Sequence, residues 1–234
     1  MESIYTIPVN EAFEDSVGDV CRCPFCLMHE RLEANEIDLI LGASMMEPDT
    51  RIKTNEMGFC DAHFETLLNG GKALPFALMM ESHLNHVREK LKGPGLMTGK
   101  NAAADVKYLE TLGESCYVCS RIDYHFTRMI DTAVYLWEND ESFREKVANT
   151  DRFCYKHFAM FAAAGKTRLG GKEFGAFYKM IYGIQDAYTE SLSDDVSFFC
   201  KKFDYRYADE PWGTAKDAPE RAAKLFCGDK VKSK

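Results

Sequence analysis

The chain has 234 residues and a formal net charge of −8 at pH 7. Its acidic balance, with no basic cluster outside Lys230, Lys232 and Lys234, disfavours nucleic acid as a partner, since phosphate recognition needs clustered Lys and Arg. No apolar run approaches the ~20 residues that span a bilayer, and the first residues lack the basic and apolar regions of a signal peptide. We therefore expect a cytoplasmic, globular protein without a membrane segment.

Helical periodicity dominates the chain and predicts an all-α fold. Near the N-terminus, Ile4 to Val9 is predicted to be extended, with Pro8 ending any strand pairing. Cys23-Pro24-Phe25-Cys26 is predicted to open a long helix, and Cys60 to His63 a short one that Gly70 and Gly71 terminate. An amphipathic helix follows, with apolar side chains at helical spacing: Phe76, Met80, Leu84, Val87 and Leu91.

The same order of elements then repeats. Gly93, Pro94 and Gly95 break the helix, and Leu96 to Ala104 is predicted to be a linker. Cys116-Tyr117-Val118-Cys119 opens a second long helix, and Cys154 to His157 a second short one that we expect to end at Gly165. The apolar faces of the two long helices in this part are Ile122, Phe126, Met129, Ile130, Ala133 and Trp137, and Phe174, Phe177, Tyr178, Ile181 and Tyr182.

This repetition predicts an internal duplication, since the two sets of motifs are offset by nearly the same number of residues. We expect two similar helical halves, residues 1–95 and 105–192. A C-terminal segment, residues 193–234, is predicted to pack on the halves and to contain a helix from Lys216 to Phe226, with Pro219 in its first turn.

Six cysteines and two histidines in these motifs have the types and spacing of metal ligands. We predict two closed Cys3His sites, one in each half, that bind two Zn²⁺ per chain. An iron–sulfur cluster is the alternative cofactor, and the spacing alone leaves open a pairing of cysteines across the halves. The predicted ligands are Cys23, Cys26, Cys60 and His63 for the first site, and Cys116, Cys119, Cys154 and His157 for the second.

The remaining cysteines and histidines are not predicted to bind these ions. His29 and His125 have no matching histidine in the other half. His83 and His86 share a helix face near Glu81, which a partly exposed polar surface explains better than a further metal or catalytic site. The roles of the other cysteines stay open; these are Cys21, Cys200 and Cys227.

The segment from Phe203 to Trp212 is rich in aromatic residues. We expect it to pack over the helical core, and the alternative is a surface for a protein partner, because Tyr, Trp and Arg are typical interface anchors. Glycines and basic residues between Gly165 and Lys172 are predicted to form a turn between helices rather than an anion site.

The order CPFC, GFCxxHF, CxxC and RFCxxHF, followed by KKFDYRYADEPWG, resembles an uncharacterised family of bacterial proteins from gut Firmicutes that carries a domain of unknown function. The resemblance extends from Cys23 to about Arg221. It implies a cytoplasmic bacterial protein, and it brings no activity with it.

For function we expect a zinc-stabilised interaction or scaffold protein, since closed sites leave no coordination position for catalysis. A redox- or zinc-responsive regulator is an alternative, because a CxxC at a helix start has a lowered thiol pKa. An enzyme or small-ligand binder that uses a cleft between the halves is the third.

Overall fold

The protein is all-α, as predicted. The structure, a computed structural model, describes residues 3–18 and 21–229, and in these ranges no β-strand occurs. The α-helices are α1 (Thr6–Glu14), α2 (Pro24–Ile40), α3 (Pro48–Met57), α4 (Asp61–Asn69), α5 (Ala73–Lys90), α6 (Thr98–Glu114), α7 (Tyr117–Asn139), α8 (Glu141–Ala148), α9 (Tyr155–Arg168), α10 (Gly171–Lys201) and α11 (Ala218–Cys227). Short 3-10 helices include Ser3–Tyr5 before α1 and Tyr205–Tyr207 and Gly213–Asp217 between α10 and α11.

The chain forms two compact units. Unit 1 consists of Met1–Glu30 and Phe126–Lys234, and unit 2 consists of Arg31–His125. The divisions between the units fall within α2 and within α7. The sequence-based boundaries, residues 1–95, 105–192 and 193–234, stay a prediction about the repeat.

Unit 1 has an aromatic core. Phe13, Phe25 and Phe161 lie at its centre, with ring centroids 5.6 Å apart for Phe13 and Phe25 and 4.9 Å apart for Phe25 and Phe161. Phe161 in turn packs edge-to-face on Phe177 of α10. The predicted apolar face of α7 is buried along its whole length, from Ile122 to Trp137.

The C-terminal part of unit 1 packs on the two preceding helices. Leu225 and Ala218 of α11 form a small cluster with Leu192 of α10, and Tyr155 of α9 and Tyr188 of α10 pack against it. Pro219 lies in the first turn of α11, as predicted, where its missing N–H leaves no helical hydrogen bond unmade.

The core of unit 2 consists mainly of smaller side chains, although Phe59 and Tyr117 are also buried. Its largest fully buried residues are Ile40, Leu67, Met79 and Ile122. Within α6, no residue is buried. The Asp105 carboxylate of α6 accepts hydrogen bonds from the backbone N–H groups of Lys92 (2.9 Å) and Gly93 (3.0 Å), which fixes the turn after α5.

Two expected irregular segments are helical. The expectation of an extended Ile4–Val9 is wrong, because α1 begins at Thr6 and Pro8 lies in its first turn, where a proline costs no hydrogen bond. The expectation of a linker from Leu96 to Ala104 is also wrong, because α6 begins at Thr98. Its three consecutive alanines, at 102–104, are strong helix formers.

Gly165 does not end α9; it lies within the helix and is buried. A Cβ atom added at Gly165 would lie 2.3 Å from Cε1 of Phe177, which is far inside van der Waals contact. The glycine therefore lets α9 approach α10 closely enough for the Phe177 ring to pack against the helix backbone.

Replacing Gly165 with Ala should therefore destabilise the protein by about 1–3 kcal/mol, the usual cost of overpacking a core. Gly183→Ala in α10 is the matched control, since a Cβ there meets no atom within 4 Å; it should be neutral or stabilise by up to about 1 kcal/mol, because Ala favours helix over Gly. The measurement is the free energy of unfolding in urea. Equal stability of the two variants would contradict the role given to Gly165.

Candidate metal centres

All eight predicted ligands lie in two compact groups, but their pairing differs from the one predicted. Cluster 1 consists of Cys23, Cys26, Cys154 and His157, and cluster 2 of Cys60, His63, Cys116 and Cys119. Each CxxC thus meets the CxxH of the other half, so the prediction of one site within each half is wrong. In each group the four ligand atoms lie within 4.8 Å of one another.

Each cluster belongs to a single compact unit. The four residues of cluster 1 lie in unit 1, and those of cluster 2 in unit 2. The long helices α2 and α7 begin at the CxxC motifs, and the divisions between the units fall farther along these same helices. The physical reason for the exchange is the path of the chain, which passes from unit 1 into unit 2 partway along α2 and returns to unit 1 partway along α7. Each CxxC therefore lies in a different unit from the CxxH of its own half and in the same unit as the CxxH of the other half.

All four motifs have the same local geometry. The first ligand directly precedes a helix and the second is the third residue of that helix, in α2, α4, α7 and α9. The carbonyl of each first cysteine accepts an early hydrogen bond of its helix, for example from Phe158 N–H to Cys154 (2.8 Å). Unpaired N–H groups and the positive end of the helix dipole favour a thiolate there.

The ligand atoms are spaced like the corners of a tetrahedron around one ion. In cluster 1, Cys26 Sγ lies 3.7 Å from Cys154 Sγ and 3.4 Å from His157 Nδ1, and Cys23 Sγ lies 3.6 Å from His157 Nδ1. For Zn–S and Zn–N bonds of about 2.3 and 2.1 Å, tetrahedral edges are about 3.8 Å between sulfurs and about 3.6 Å between sulfur and nitrogen. The donor set and its spacing therefore fit a single zinc ion.

Cluster 2 has the same arrangement around His63. Its Nδ1 lies 3.2 Å from Cys60 Sγ, 3.3 Å from Cys116 Sγ and 3.4 Å from Cys119 Sγ. Cys60 Sγ and Cys119 Sγ are 3.8 Å apart, too far for a disulfide bond, and all nine cysteines are free thiols. Cys60 and Cys119 are only partly buried, whereas all four residues of cluster 1 are buried.

The closely packed sulfurs of cluster 1 shift one another's pKa values in opposite directions. Hydrogen bonds from Cys23 and Cys26 hold the pKa of the Cys154 thiol well below its ordinary value. The hydrogen bond to Cys154 in turn raises the pKa of Cys26 to about 12, and burial raises that of Cys23. These opposite directions mean that ionisation of one sulfur in cluster 1 disfavours ionisation of its neighbours.

The ligands of cluster 2 also shift one another's pKa values in opposite directions. Burial opposes ionisation of Cys116, but the hydrogen bond with His63 lowers the pKa of this thiol to about 6. The same hydrogen bond raises the pKa of His63 to about 9. Burial, followed by the neighbouring Cys116, raises the pKa of Cys119 to about 12. A divalent cation would remove this conflict, because it stabilises several thiolates at once.

Cluster 2 is supported by hydrogen bonds around its ligands. The backbone N–H of Tyr117 donates to Gly58 O (3.0 Å) and Ser115 Oγ donates to Met57 O (2.6 Å), so the two ligand segments are tied before any metal binds. His63 Nε2 lies 3.1 Å from Glu33 Oε1. A carboxylate on the distal ring nitrogen fixes the tautomer and the orientation of a metal-binding histidine.

Cluster 1 is covered by the segment that follows α11. Gly228 has a φ of +83°, and a Cβ atom there would lie 3.2 Å from Cys26 Sγ. The Asp229 carboxylate accepts hydrogen bonds from Cys23 N–H (3.0 Å) and from Arg152 Nη2 (2.5 Å), and Asp229 N–H approaches Cys26 Sγ at 3.5 Å. The Arg152 side chain is itself buried and donates to Cys21 O (3.1 Å).

Sequence reasoning missed these supporting residues. Glu33, Asp229 and Gly228 lie outside the ligand motifs, and no spacing rule relates them to the ligands. Arg152 belongs to the RFC stretch of the sequence, but this pattern gives it no role by itself. A signal for Gly228 does exist, because a glycine that follows a helix and precedes a polar residue is typical of a chain reversal with positive φ.

The other candidate residues lie outside both clusters. His29 lines a cavity beside cluster 1 and packs its ring on Phe126 at 5.5 Å. His83 Nδ1 lies 3.1 Å from Asn55 O, and within the described ranges no metal-binding group includes His83, His86 or Glu81. His125 lies 3.9 Å from Glu36.

The three remaining cysteines are also separate from the clusters. Cys200 and Cys227 are exposed. Cys21 has a φ of +39°, which is unusual for a residue with a side chain. Its backbone carbonyl oxygen accepts the hydrogen bond from Arg152 Nε.

The segment from Phe203 to Trp212 is held by one lysine. Lys202 Nζ donates hydrogen bonds to the carbonyl oxygens of Tyr207 (2.7 Å), Ala208 (2.9 Å) and Glu210 (2.6 Å), and it lies 5.2 Å from the centre of the Trp212 ring. Trp212 packs on Phe199 of α10. Phe203 and Tyr205 are 78% and 87% exposed, so only part of the segment packs over the core.

Residues 1–233 match the family model DUF6062, a family of unknown function. The chain belongs to this family. The sequence-based resemblance to a family of unknown function is thereby confirmed, while the bacterial origin stays a prediction. Neither the curated proteins nor the solved structures contain a match.

No helix within the described residues combines the length and apolar character needed to cross a membrane.

The exchanged pairing predicts which double variants lose one ion and which lose two. Cys23→Ser with Cys154→Ser alters only cluster 1 and should remove about one zinc ion per chain, whereas Cys23→Ser with Cys60→Ser alters both clusters and should remove about two. Elemental analysis of the purified full chain measures this. The pairing within halves requires the opposite outcome, and observing it would refute the two clusters described here.

Glu33 and Asp229 offer a matched pair of variants outside the ligands. Glu33→Gln should weaken zinc binding at cluster 2 by about 10–100-fold, as is typical when the carboxylate behind a metal-binding histidine is lost. Competition with a chromophoric chelator measures the two affinities, and Asp229→Asn should change the affinity of cluster 1 instead. Equal effects of both variants on one site would contradict these assignments.

Proposed function

We propose that the protein is a zinc-stabilised interaction protein, with two structural Zn²⁺ ions per chain. The observation that carries the proposal is the pair of Cys3His groups, each with ligand atoms at tetrahedral spacing. Four protein ligands complete the coordination shell of zinc and leave no position for a substrate or a reactive water. The proposed role of the metal is therefore to hold the fold.

The ligand spacing favours zinc over an iron–sulfur cluster. Ligand atoms 3.2–3.8 Å apart surround a space for one ion, whereas a cluster of several irons and sulfides needs its protein sulfurs farther apart. Three thiolates and one imidazole are a common set for structural zinc. Free thiols in all nine cysteines suit a reducing compartment, which supports a cytoplasmic location.

Metal removal should affect unit 2 more than unit 1. Structural zinc contributes about 10–16 kcal/mol in small peptides, which equals or exceeds the stability of a typical domain. Unit 1 has six fully buried phenylalanines to sustain it, whereas the largest fully buried side chains of unit 2 are aliphatic. We therefore expect Cys60→Ser to melt unit 2 while Cys154→Ser leaves part of unit 1 folded.

Hydrogen exchange with mass spectrometry measures the remaining folded structure of each unit in the two variants. Elemental analysis and an absorption spectrum of the parent protein identify and count the metal. We expect about two zinc ions and no visible colour. Full protection of unit 2 in the metal-free protein, or a coloured iron centre, would refute the proposal of structural zinc.

The proposed interaction surface is the segment from Phe203 to Trp212. Exposed Phe203 and Tyr205 present large rings on a turn that Lys202 holds in one conformation, and preorganised aromatic residues are frequent binding hot spots. A photo-crosslinking amino acid at Tyr205 should form a discrete protein adduct in cells, whereas one at the exposed Arg88 of α5 should not. The absence of an adduct specific to position 205 would refute this surface.

Redox-linked zinc release is a second candidate function, favoured by the exposure of cluster 2. Cys60 and Cys119 are only partly buried and their sulfurs are 3.8 Å apart, while all four residues of cluster 1 belong to the buried class. Two thiolates and one hydrogen peroxide would give a disulfide and two hydroxide ions, and the ion would leave with the lost ligands. Mild peroxide should then link Cys60 to Cys119 first; equal release from both clusters would contradict this candidate.

A further inference from the structure

A cavity of about 470 Å³ in unit 1 is lined by both apolar and charged side chains, and it shares no lining residue with either metal cluster. Arg128, Asp131 and Thr132 of α7 line it at helical positions i, i+3 and i+4, which share one face of a helix. Thr167 and Arg168 of α9 line it from the neighbouring helix. Its volume is within the ~300–1,000 Å³ typical of small-molecule sites.

The cavity carries two guanidinium groups. Arg168 is positioned by Glu138, whose Oε2 lies 3.5 Å from its Nε, and by the Tyr135 ring, which lies 4.9 Å from its guanidinium carbon. Within the described residues, the terminal nitrogens of Arg168 make no hydrogen bond, so they are available to a ligand. Guanidinium groups favour a phosphate or carboxylate, which can accept two hydrogen bonds from a single fork such as that of Arg168.

The same cavity also presents hydrogen-bond acceptors, with which an anion that has no donor group cannot pair. Thr132 Oγ1 donates its hydrogen to Arg128 O (2.8 Å), and Thr167 Oγ1 donates its hydrogen to Ala163 O (3.0 Å). Both hydroxyl oxygens can therefore only accept from a ligand. The exposed Asp131 carboxylate makes no ion pair within the described part of the chain, and it would repel an anion that lacks a positive group.

We propose that this cavity binds a small zwitterion, in which a phosphate or carboxylate faces Arg128 and Arg168 while an ammonium group faces Asp131 and the threonine oxygens. Tyr5, 6% exposed, lines the cavity as an aromatic wall. None of these residues belongs to a metal cluster, so the site is independent of the proposed role of zinc.

Isothermal titration of the full, metal-loaded chain tests the site with four probes. O-Phosphoethanolamine and glycine are the zwitterions, with phosphate and carboxylate respectively, and inorganic phosphate and ethanolamine carry the two charges separately. At least one zwitterion should bind about tenfold or more tightly than either separate charge, since two charged contacts form at once. No binding of either zwitterion at millimolar concentration would overturn the proposal, as would equal affinity for inorganic phosphate.

Three variants and a control assign the contacts. Arg128→Met and Arg168→Met should each weaken zwitterion binding by about tenfold or more. Asp131→Asn should abolish the preference for the zwitterion while it preserves or strengthens phosphate binding, because the repelling charge is gone. Arg88→Met removes an exposed charge of the other unit that does not line the cavity, and it should change nothing.

The melting temperature and zinc content of each variant separate loss of the site from loss of the fold. If Arg168→Met unfolds unit 1, the exposed Asp131→Asn still decides the question through the ratio of the two affinities. An unchanged ratio in Asp131→Asn would overturn the zwitterion assignment.

Discussion

Crowding of sulfur atoms is the physical constraint on which both units depend. Three cysteine sulfurs and an imidazole nitrogen lie within 4.8 Å of one another in each cluster, without a disulfide bond to hold them. Three thiolates at such distances repel one another strongly in a medium of low dielectric constant. Protonation of neighbouring thiols would relieve this repulsion, but a protonated thiol does not bind a metal ion. A bound divalent cation would relieve it directly, and this is the physical basis of the proposed role of the metal in stabilising the fold.

The clusters connect segments that are far apart in the chain. Cys26 and His157 are separated by 131 positions, whereas Cys119 and His63 are separated by 56. Because the entropy of loop closure rises only slowly with loop length, the longer connection costs little more than the shorter one. Cluster 1 is further surrounded by an aromatic core and by the Arg152–Asp229 ion pair, while cluster 2 has a core of mainly smaller side chains and partly exposed cysteines. The same donor set is therefore embedded in two environments that differ in protection.

The sequence predicted the all-α class and all eight clustered residues, because the CxxC and CxxH spacings are local properties that a helix start translates directly into geometry. It could not decide the partners, since spacing along the chain says nothing about which helix starts meet in space. Gly165 shows the same limit: as a single residue it resembles a helix stop, and only the Phe177 ring beside it reveals a packing role. Ile4–Val9 and Leu96–Ala104 were misjudged because Pro8 and the small residues resemble breakers, although a proline in the first turn and a run of alanines favour helix.

The order of the ligands along the chain has a consequence for synthesis. Going from the N-terminus, Cys23 and Cys26 come first, all four residues of cluster 2 follow, and Cys154 and His157 come last, with Asp229 farther still. A growing polypeptide therefore contains all four ligands of cluster 2 before the ribosome has synthesised Cys154 and His157, the partners of the first two cysteines. Since folding of a nascent chain proceeds broadly from the N-terminus, unit 2 is expected to acquire the proposed ion before unit 1 does. Early binding of an ion at cluster 2 would also keep its thiols from pairing wrongly with Cys23 and Cys26.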